Sequence, residues 1–405
     1  MPPGPTGTPH RQARSIRNDE RILDAGLQLL AERGWSDLTF APVADLAGLS
    51  MRPVRDRYAD RSELAAAIWA ERLYPVLRED VVVLQEATEV VIKAGIEEAG
   101  ALIDALQAFL RPAPRMRAAM ELMIVAGFNP VVRGALDATL LPPLRKWITP
   151  GLDASTPAEG ARRAFILATA LGMVVTGLQL GEDFPRSDGH TQALARALSA
   201  NQEPSSQPTT TADHLDLGTD FGTGEDAWDA LLQVTLDQVG TRGYDAATTM
   251  SIARASAHTE GFLFARYDSK LDLFFDATQR LVSRTTGANV AYQQQVADRY
   301  SSGMAEAVVM REFMRPGRER LRVVNLEQFR LSWHDERFQR MMNQSFEPFF
   351  EAIAVTVPQD RDAGRARAFT ELVLGTGPVV LSQLLPETWE LPYDVVTIPL
   401  LDQPS

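Results

Sequence analysis

The sequence predicts an all-α protein built from two tandem copies of one helical unit of about 200 residues. Three observations lead there. Apolar residues recur at helical spacing, as in Ile22, Leu23, Gly26, Leu27 and Leu30. No pair of alternating segments joined by a hairpin turn occurs, so no strand pair is expected. And the chain repeats itself: "VADLAGLSMRPVRDRYADRSEL" (43–64) aligns without a gap on "IARASAHTEGFLFARYDSKLDL" (252–273).

The first copy opens with a helix over 18–33, ended by Gly34-Trp35, glycine being the usual helix terminator. Thr39 is expected to cap a second helix over 40–47, and Ser50 a third over roughly 51–57, with Pro53 tolerated in its first turn. Two short helices around a tight turn make the helix-turn-helix plan, whose second helix enters the DNA major groove. The second copy matches it upstream as well: Arg242-Gly243 answers Arg33-Gly34, Tyr244 answers Trp35, and Leu232 and Leu236 answer Leu23 and Leu27. Further on, "RPAPRMRAAMEL" from Arg111 answers "RPGRERLRVVNL" from Arg315. "LPPLRKWI" (141–148) answers "FEPFFEAI" (346–353), and "GARRAFILATALGMVV" (160–175) answers "GRARAFTELVLGTGPVV" (364–380). The offset drifts only from 209 to about 204, so whole units are duplicated.

The expected organisation is an N-terminal arm (1–14), a first helix-turn-helix head (15–64), a helical body (65–200), a Ser/Thr/Pro/Gly/Asp-rich linker (201–224), a second head (225–273) and a second body (274–405).

Composition narrows the function classes. There is no cysteine, so there is no disulfide framework, thiolate metal site or cysteine nucleophile. The five histidines are scattered without ligand spacing, and no Gly-x-Ser-x-Gly elbow or phosphate loop is visible, so neither enzyme, metal nor cofactor is expected. The N-terminus lacks the apolar stretch of a signal peptide, and the apolar run 165–181 reads as a buried helix, so a cytoplasmic protein with no membrane partner is expected. A net charge of -13 argues against a chain coated in nucleic acid but leaves room for a local basic face.

The heads resemble those of the tetracycline-repressor-like (TetR) transcriptional regulators, whose Gly-aromatic turn, Thr-capped "IAxxAGVS" helix, "LYxxF" and closing "SK..L" match about 50 residues of each copy. The resemblance implies double-stranded DNA as a partner, a small hydrophobic effector among the body helices, and a dimer whose last long helices form a four-helix bundle. Here both subunits lie in one chain, so an intramolecular pseudo-two-fold dimer is expected rather than a homodimer. The implied DNA contacts are Thr39, Ser50, Met51, Arg52, Arg55, Tyr58 and Arg61 in the first head, and Thr248, Thr259, Glu260 and Lys270 in the second. Tyr58 fits the core equally well. Arg55 and Phe264 stand where the family carries a phosphate-contacting tyrosine, so the second head reads equally as degenerate. Arg11, Arg14 and Arg17 suit either an arm reaching DNA or a plain tail. Met116, Met120, Met123 and Phe128, with Phe329, Trp333 and Phe338, suit either an effector cavity or ordinary core. The main expectation is a DNA-binding repressor on an asymmetric inverted site. The alternative is a protein-interaction module with decayed heads.

Overall fold

A computed structural model describes residues 9–109, 113–149, 157–181, 188–200, 202–205, 221–354 and 361–402. Among the described residues all regular structure is helical. The first half contributes α1 (Pro9–Arg33), α2 (Phe40–Ala47), α3 (Met51–Arg55), α4 (Arg61–Ile68), α5 (Tyr74–Ala94), α6 (Gly100–Phe109), α7 (Pro114–Val125), α8 (Pro130–Ala138), α9 (Leu141–Ile148), α10 (Pro157–Leu180) and α11 (Asp188–Ser199). The second contributes α12 (Asp226–Arg242), α13 (Thr249–Ala255), α14 (Glu260–Phe264), α15 (Lys270–Arg299), α16 (Ser302–Met314), α17 (Glu319–Ser332), α18 (Glu336–Ala354), α19 (Arg361–Leu384) and α20 (Asp394–Leu401).

Local chemistry sets the ends. Gly34 and Gly243 both turn the chain at φ 78°, a backbone region closed to residues with a Cβ. The first helix starts at Pro9, upstream of the expected residue 18, and α3 stops at Arg55 rather than 57. Backbone helix therefore runs into the segment expected as an arm. The side chains of Arg11 and Arg14 lie outside the described residues.

The aligned apolar pairs are buried together. Leu23 and Leu232, Val43 and Ile252, Val54 and Leu263, and Leu64 and Leu273 are each at most 1% exposed. In the first half they join the large core that continues through the bodies of both halves, and in the second they knit the opening helices into a separate small core. That small core also takes in Phe221, so the chain joins the following head before the expected linker end at 224. Of that linker, the Ser205 amide donates to Asp394 on α20 at 2.6 Å, and residues 206–220 lie outside the described residues.

Between the halves, α10 packs along α19. α10 is apolar enough to cross a membrane by composition, but its apolar window is wholly buried. The contacts are reciprocal. Gly172 lies on the Val373 carbonyl, and Gly377 lies on the Ala168 carbonyl, each so close that a Cβ would collide. At the far ends, Arg133 donates to the carbonyls of Gln383 and Leu384 (2.8 and 3.0 Å), closing α19. Gln339 donates to the carbonyl of Gln179 (3.0 Å), closing α10. Gln383 in turn reaches the Met123 and Ile124 carbonyls of α7, while Gln179 bonds Asn343 of α18 at 2.7 Å. An interface in which residue i meets j and the counterpart of j meets the counterpart of i is isologous.

Candidate nucleic-acid interface

In the first head, α2 and α3 present an outward polar face. Arg52 is 88% exposed, tied only to Asp56 by an exposed pair at 3.6 Å, which contributes little. Arg55, Thr39 and Ser50 are exposed. Thr39 and Ser50 hold the extended backbone of N-caps, yet neither hydroxyl caps its helix. Both hydroxyls are therefore left for a partner, a departure from the capping role expected of them. Met51 is half-buried against the core. Tyr58 is half-buried too, and burial, followed by the neighbouring Glu71, pushes its hydroxyl pKa up, so it remains a neutral donor.

The second head is built on the same plan with different chemistry. The Thr248 hydroxyl accepts from the Ser251 amide at 3.1 Å, and the Thr259 hydroxyl from the Phe262 amide at 3.3 Å, so both are consumed as caps. The Glu260 carboxylate takes the Thr249 hydroxyl at 2.5 Å. What faces outward is Gly261 and Phe264, in the places of Arg52 and Arg55, together with Met250 and Arg254.

Arg61 and Lys270 are turned inward. The Arg61 guanidinium covers the Trp35 ring at 4.4 Å, and the Lys270 ammonium covers the Tyr244 ring at 3.8 Å while donating to the Tyr244 carbonyl at 2.9 Å. Burial lowers the Lys270 pKa, against the pull of Asp245 and Glu327. Phosphate contact would require both cations to leave these rings.

Beneath the two turns lies a buried charge cluster that joins the halves. Glu121 and Glu327 are fully buried, and each accepts the amide that follows a turn glycine: Trp35 N–H at 3.1 Å and Tyr244 N–H at 2.7 Å. Arg330, 1% exposed, donates to both oxygens of Glu327 (2.5 and 3.1 Å) and reaches Glu121 at 3.4 Å and Asp245 at 3.7 Å. Burial pushes its pKa down, but Glu327 and Glu121 more than offset that and hold it above the ordinary guanidinium value. His334 of the second half sets Nε2 2.6 Å from Glu121 and Nδ1 3.3 Å from the Glu32 carbonyl of α1. Ser36 bonds Asp245 at 2.8 Å, linking the two turns directly. Sequence reading missed this cluster. Its signal was a glutamate set within a short apolar stretch of each of two helices, "AAMELMIV" and "VVNLEQF".

The proposed effector residues pack as core. Met120, Met123, Phe329, Trp333 and Phe338 are buried, and Met116 is half-buried. Phe329 stacks on Phe346 at 6.2 Å, and Phe338 meets Phe275 edge-on at 5.2 Å. Phe128 presses on Gly243 of the second turn, where His334 occupies the matching place at Gly34. Among the described residues no group of His, Cys, Asp and Glu is arranged to hold a metal. No protein-family model matches the chain, and no curated protein matches it significantly.

Proposed function

We propose that this chain is a DNA-binding transcriptional regulator, a repressor of the tetracycline-repressor-like kind. It acts as a single-chain pseudo-dimer on an asymmetric inverted operator, in the cytoplasm. Each half is read as a helix-turn-helix head followed by a helical body. The observation that carries the reading is the isologous packing of α10 on α19, with a helix-turn-helix at the start of each half and Arg52 and Arg55 exposed on α3. A reader of an inverted DNA site needs two heads related by a two-fold axis, and a duplicated chain supplies both. A small hydrophobic effector bound among the body helices would act by differential affinity for two head arrangements. The contacts of Glu121 and Glu327 with the turns tie head to body and support such coupling.

The test is binding of the purified chain to DNA upstream of its own coding sequence. Arg52→Ala and Arg55→Ala should each weaken specific binding by ~1–3 kcal/mol, as expected for loss of a bidentate guanine contact. Both variants should keep full helicity, because both residues are exposed. Sedimentation should give one species near 44.6 kDa. Unchanged binding in both variants would remove α3 as the reading helix.

A further inference from the structure

We infer that the second head reads thymine methyl groups through Phe264 and Met250, while the first reads hydrogen-bonding base edges through arginine. The inference rests on the DNA-binding reading above and specifies the second half of the operator. Phe264 is 51% exposed and Met250 56% exposed, two of the most exposed large apolar side chains among the described residues. They belong to adjoining helices, since Thr249, beside Met250, bonds Glu260 at the start of α14, and Phe264 lies one turn beyond on the same face. Arg254 is exposed one turn after Met250 on α13, placed to meet a phosphate at the edge of the same face.

Apart from Arg254 at its edge, the polar side chains at the starts of α13 and α14 are already engaged. Thr248 and Thr259 cap their own helices, and Glu260 holds Thr249. The thymine C5-methyl is the apolar group that the major groove displays, and it takes apolar side chains. Gly261 adds an independent sign. It lies in the first turn of α14 without a positive φ, and a Cβ there would meet nothing nearer than the Thr259 hydroxyl at 3.6 Å. Neither backbone conformation nor packing requires glycine at this place. A bare backbone beside Phe264 lets a base edge approach closely.

The experiment uses the full chain. Its preferred duplex is first selected from random DNA, and the two half-sites are assigned by footprinting. Deoxyuridine then replaces thymidine in one half-site at a time, deleting the methyl and leaving base pairing intact, and affinity is read by fluorescence anisotropy. Each contacted methyl in the second half-site should cost about fourfold in affinity, the change expected for one buried methyl group. The same replacement in the first half-site should change affinity by less than about twofold. In Phe264→Ala the second half-site should lose its sensitivity to the methyl, and such non-additivity identifies a direct contact. Gly261→Ala should weaken binding to the second half-site while leaving helicity unchanged or higher, which a purely structural glycine would not do. Specific binding that ignores every methyl in the second half-site overturns this inference and leaves the regulator reading standing. A footprint confined to one half-site overturns this inference together with the two-headed part of the reading, and leaves only DNA binding by the first head. Failure to select any DNA overturns both.

Discussion

Arg330→Leu is the sharpest perturbation of the buried cluster. It removes the cation that links two carboxylates with no solvent exposure. Breaking a buried pair by deleting one partner costs ~3–5 kcal/mol, because the remaining charge is left uncompensated in low dielectric. The geometry places most of that cost at Glu327, which loses donors at 2.5 and 3.1 Å. Glu121 loses only the contact at 3.4 Å and keeps the Trp35 amide and His334. The expected loss is therefore ~3 kcal/mol, near the lower end. Glu327→Gln added to Arg330→Leu should recover ~1–2 kcal/mol, more than Glu121→Gln recovers, since neutralising the stranded acid removes its desolvation penalty. The Arg330 pKa is raised in the folded state, so its stabilising contribution is present at every pH below the ordinary guanidinium range and should not vary between pH 5 and 9. Urea unfolding followed jointly by circular dichroism and tryptophan fluorescence measures this, with coincident transitions as the check on a two-state reading. A loss below ~1 kcal/mol, or better rescue by Glu121→Gln, would refute the assignment of the charges.

Other substitutions probe separate elements. Ala257 adopts φ 60° at the turn where the first head has Gly48 at φ 62°, so Ala257→Gly should stabilise by ~0.5–1 kcal/mol and Gly48→Ala should destabilise by about as much, read by thermal melting. Gly377→Ala drives a Cβ into the Ala168 carbonyl and should cost ~1–3 kcal/mol, whereas Gly134→Ala on α8 meets open space and should gain ~0.5–1 kcal/mol. The Glu306 carboxyl is pushed up to about 7 by burial and then by Glu371, so the folded state binds its proton more tightly than the unfolded chain does. Stability should then fall as pH rises from about 4.5 to about 7. Because Glu306 keeps some exposure, the fall should be ~1 kcal/mol, and Glu306→Gln should flatten it in pH-dependent urea melts.

What the sequence discloses and what it hides divide along physical lines. The helices, the glycine turns and the paired core positions are legible because each follows from local spacing: Leu23 and Leu232 are buried because both recur at the helical period. The roles of Arg61 and Lys270 are not legible. Both lie at the start of a helix, where a phosphate contact is a fair expectation. Yet a ring 26 residues earlier in the chain, Trp35 or Tyr244, draws the cation inward, and that proximity is tertiary. His334 was equally opaque. The neighbouring Asp335 starts a helix by accepting the Phe338 amide at 2.8 Å, but the histidine's partners are 213 residues away at Glu121 and 302 away at Glu32. The free hydroxyls of Thr39 and Ser50 show the same limit, since an N-cap residue type does not reveal whether its side chain caps or waits.

On the proposed reading, fusion of the two subunits allows a difference that a homodimer cannot hold. In a homodimer any residue near the axis appears twice. Two copies of Arg330 and His334 would bring four cationic or titratable groups to the same two glutamates. Here the second half carries Arg330 and His334, and the first carries Ile124 and Phe128 at the corresponding steps beyond Glu121. One arginine then serves both acids, and an apolar ring fills the other side, pressed on Gly243. Once the axis is asymmetric, the heads above it are released from identity as well. Arg52 and Arg55 on one and Gly261 and Phe264 on the other are the form that release would take in an operator with unlike halves. Restoring symmetry tests the argument. Ile124→Arg places a second guanidinium three residues beyond Glu121, the step that Arg330 holds beyond Glu327, and two cations sharing Glu121 in low dielectric repel by several kcal/mol. The variant should therefore be less stable than wild type at every pH from 5 to 9. Adding Arg330→Leu to it should restore much of the loss, because one arginine would again be shared between Glu121 and Glu327. If the double variant is no more stable than Ile124→Arg alone, the two sides of the axis are not interchangeable and the account of a shared cation fails.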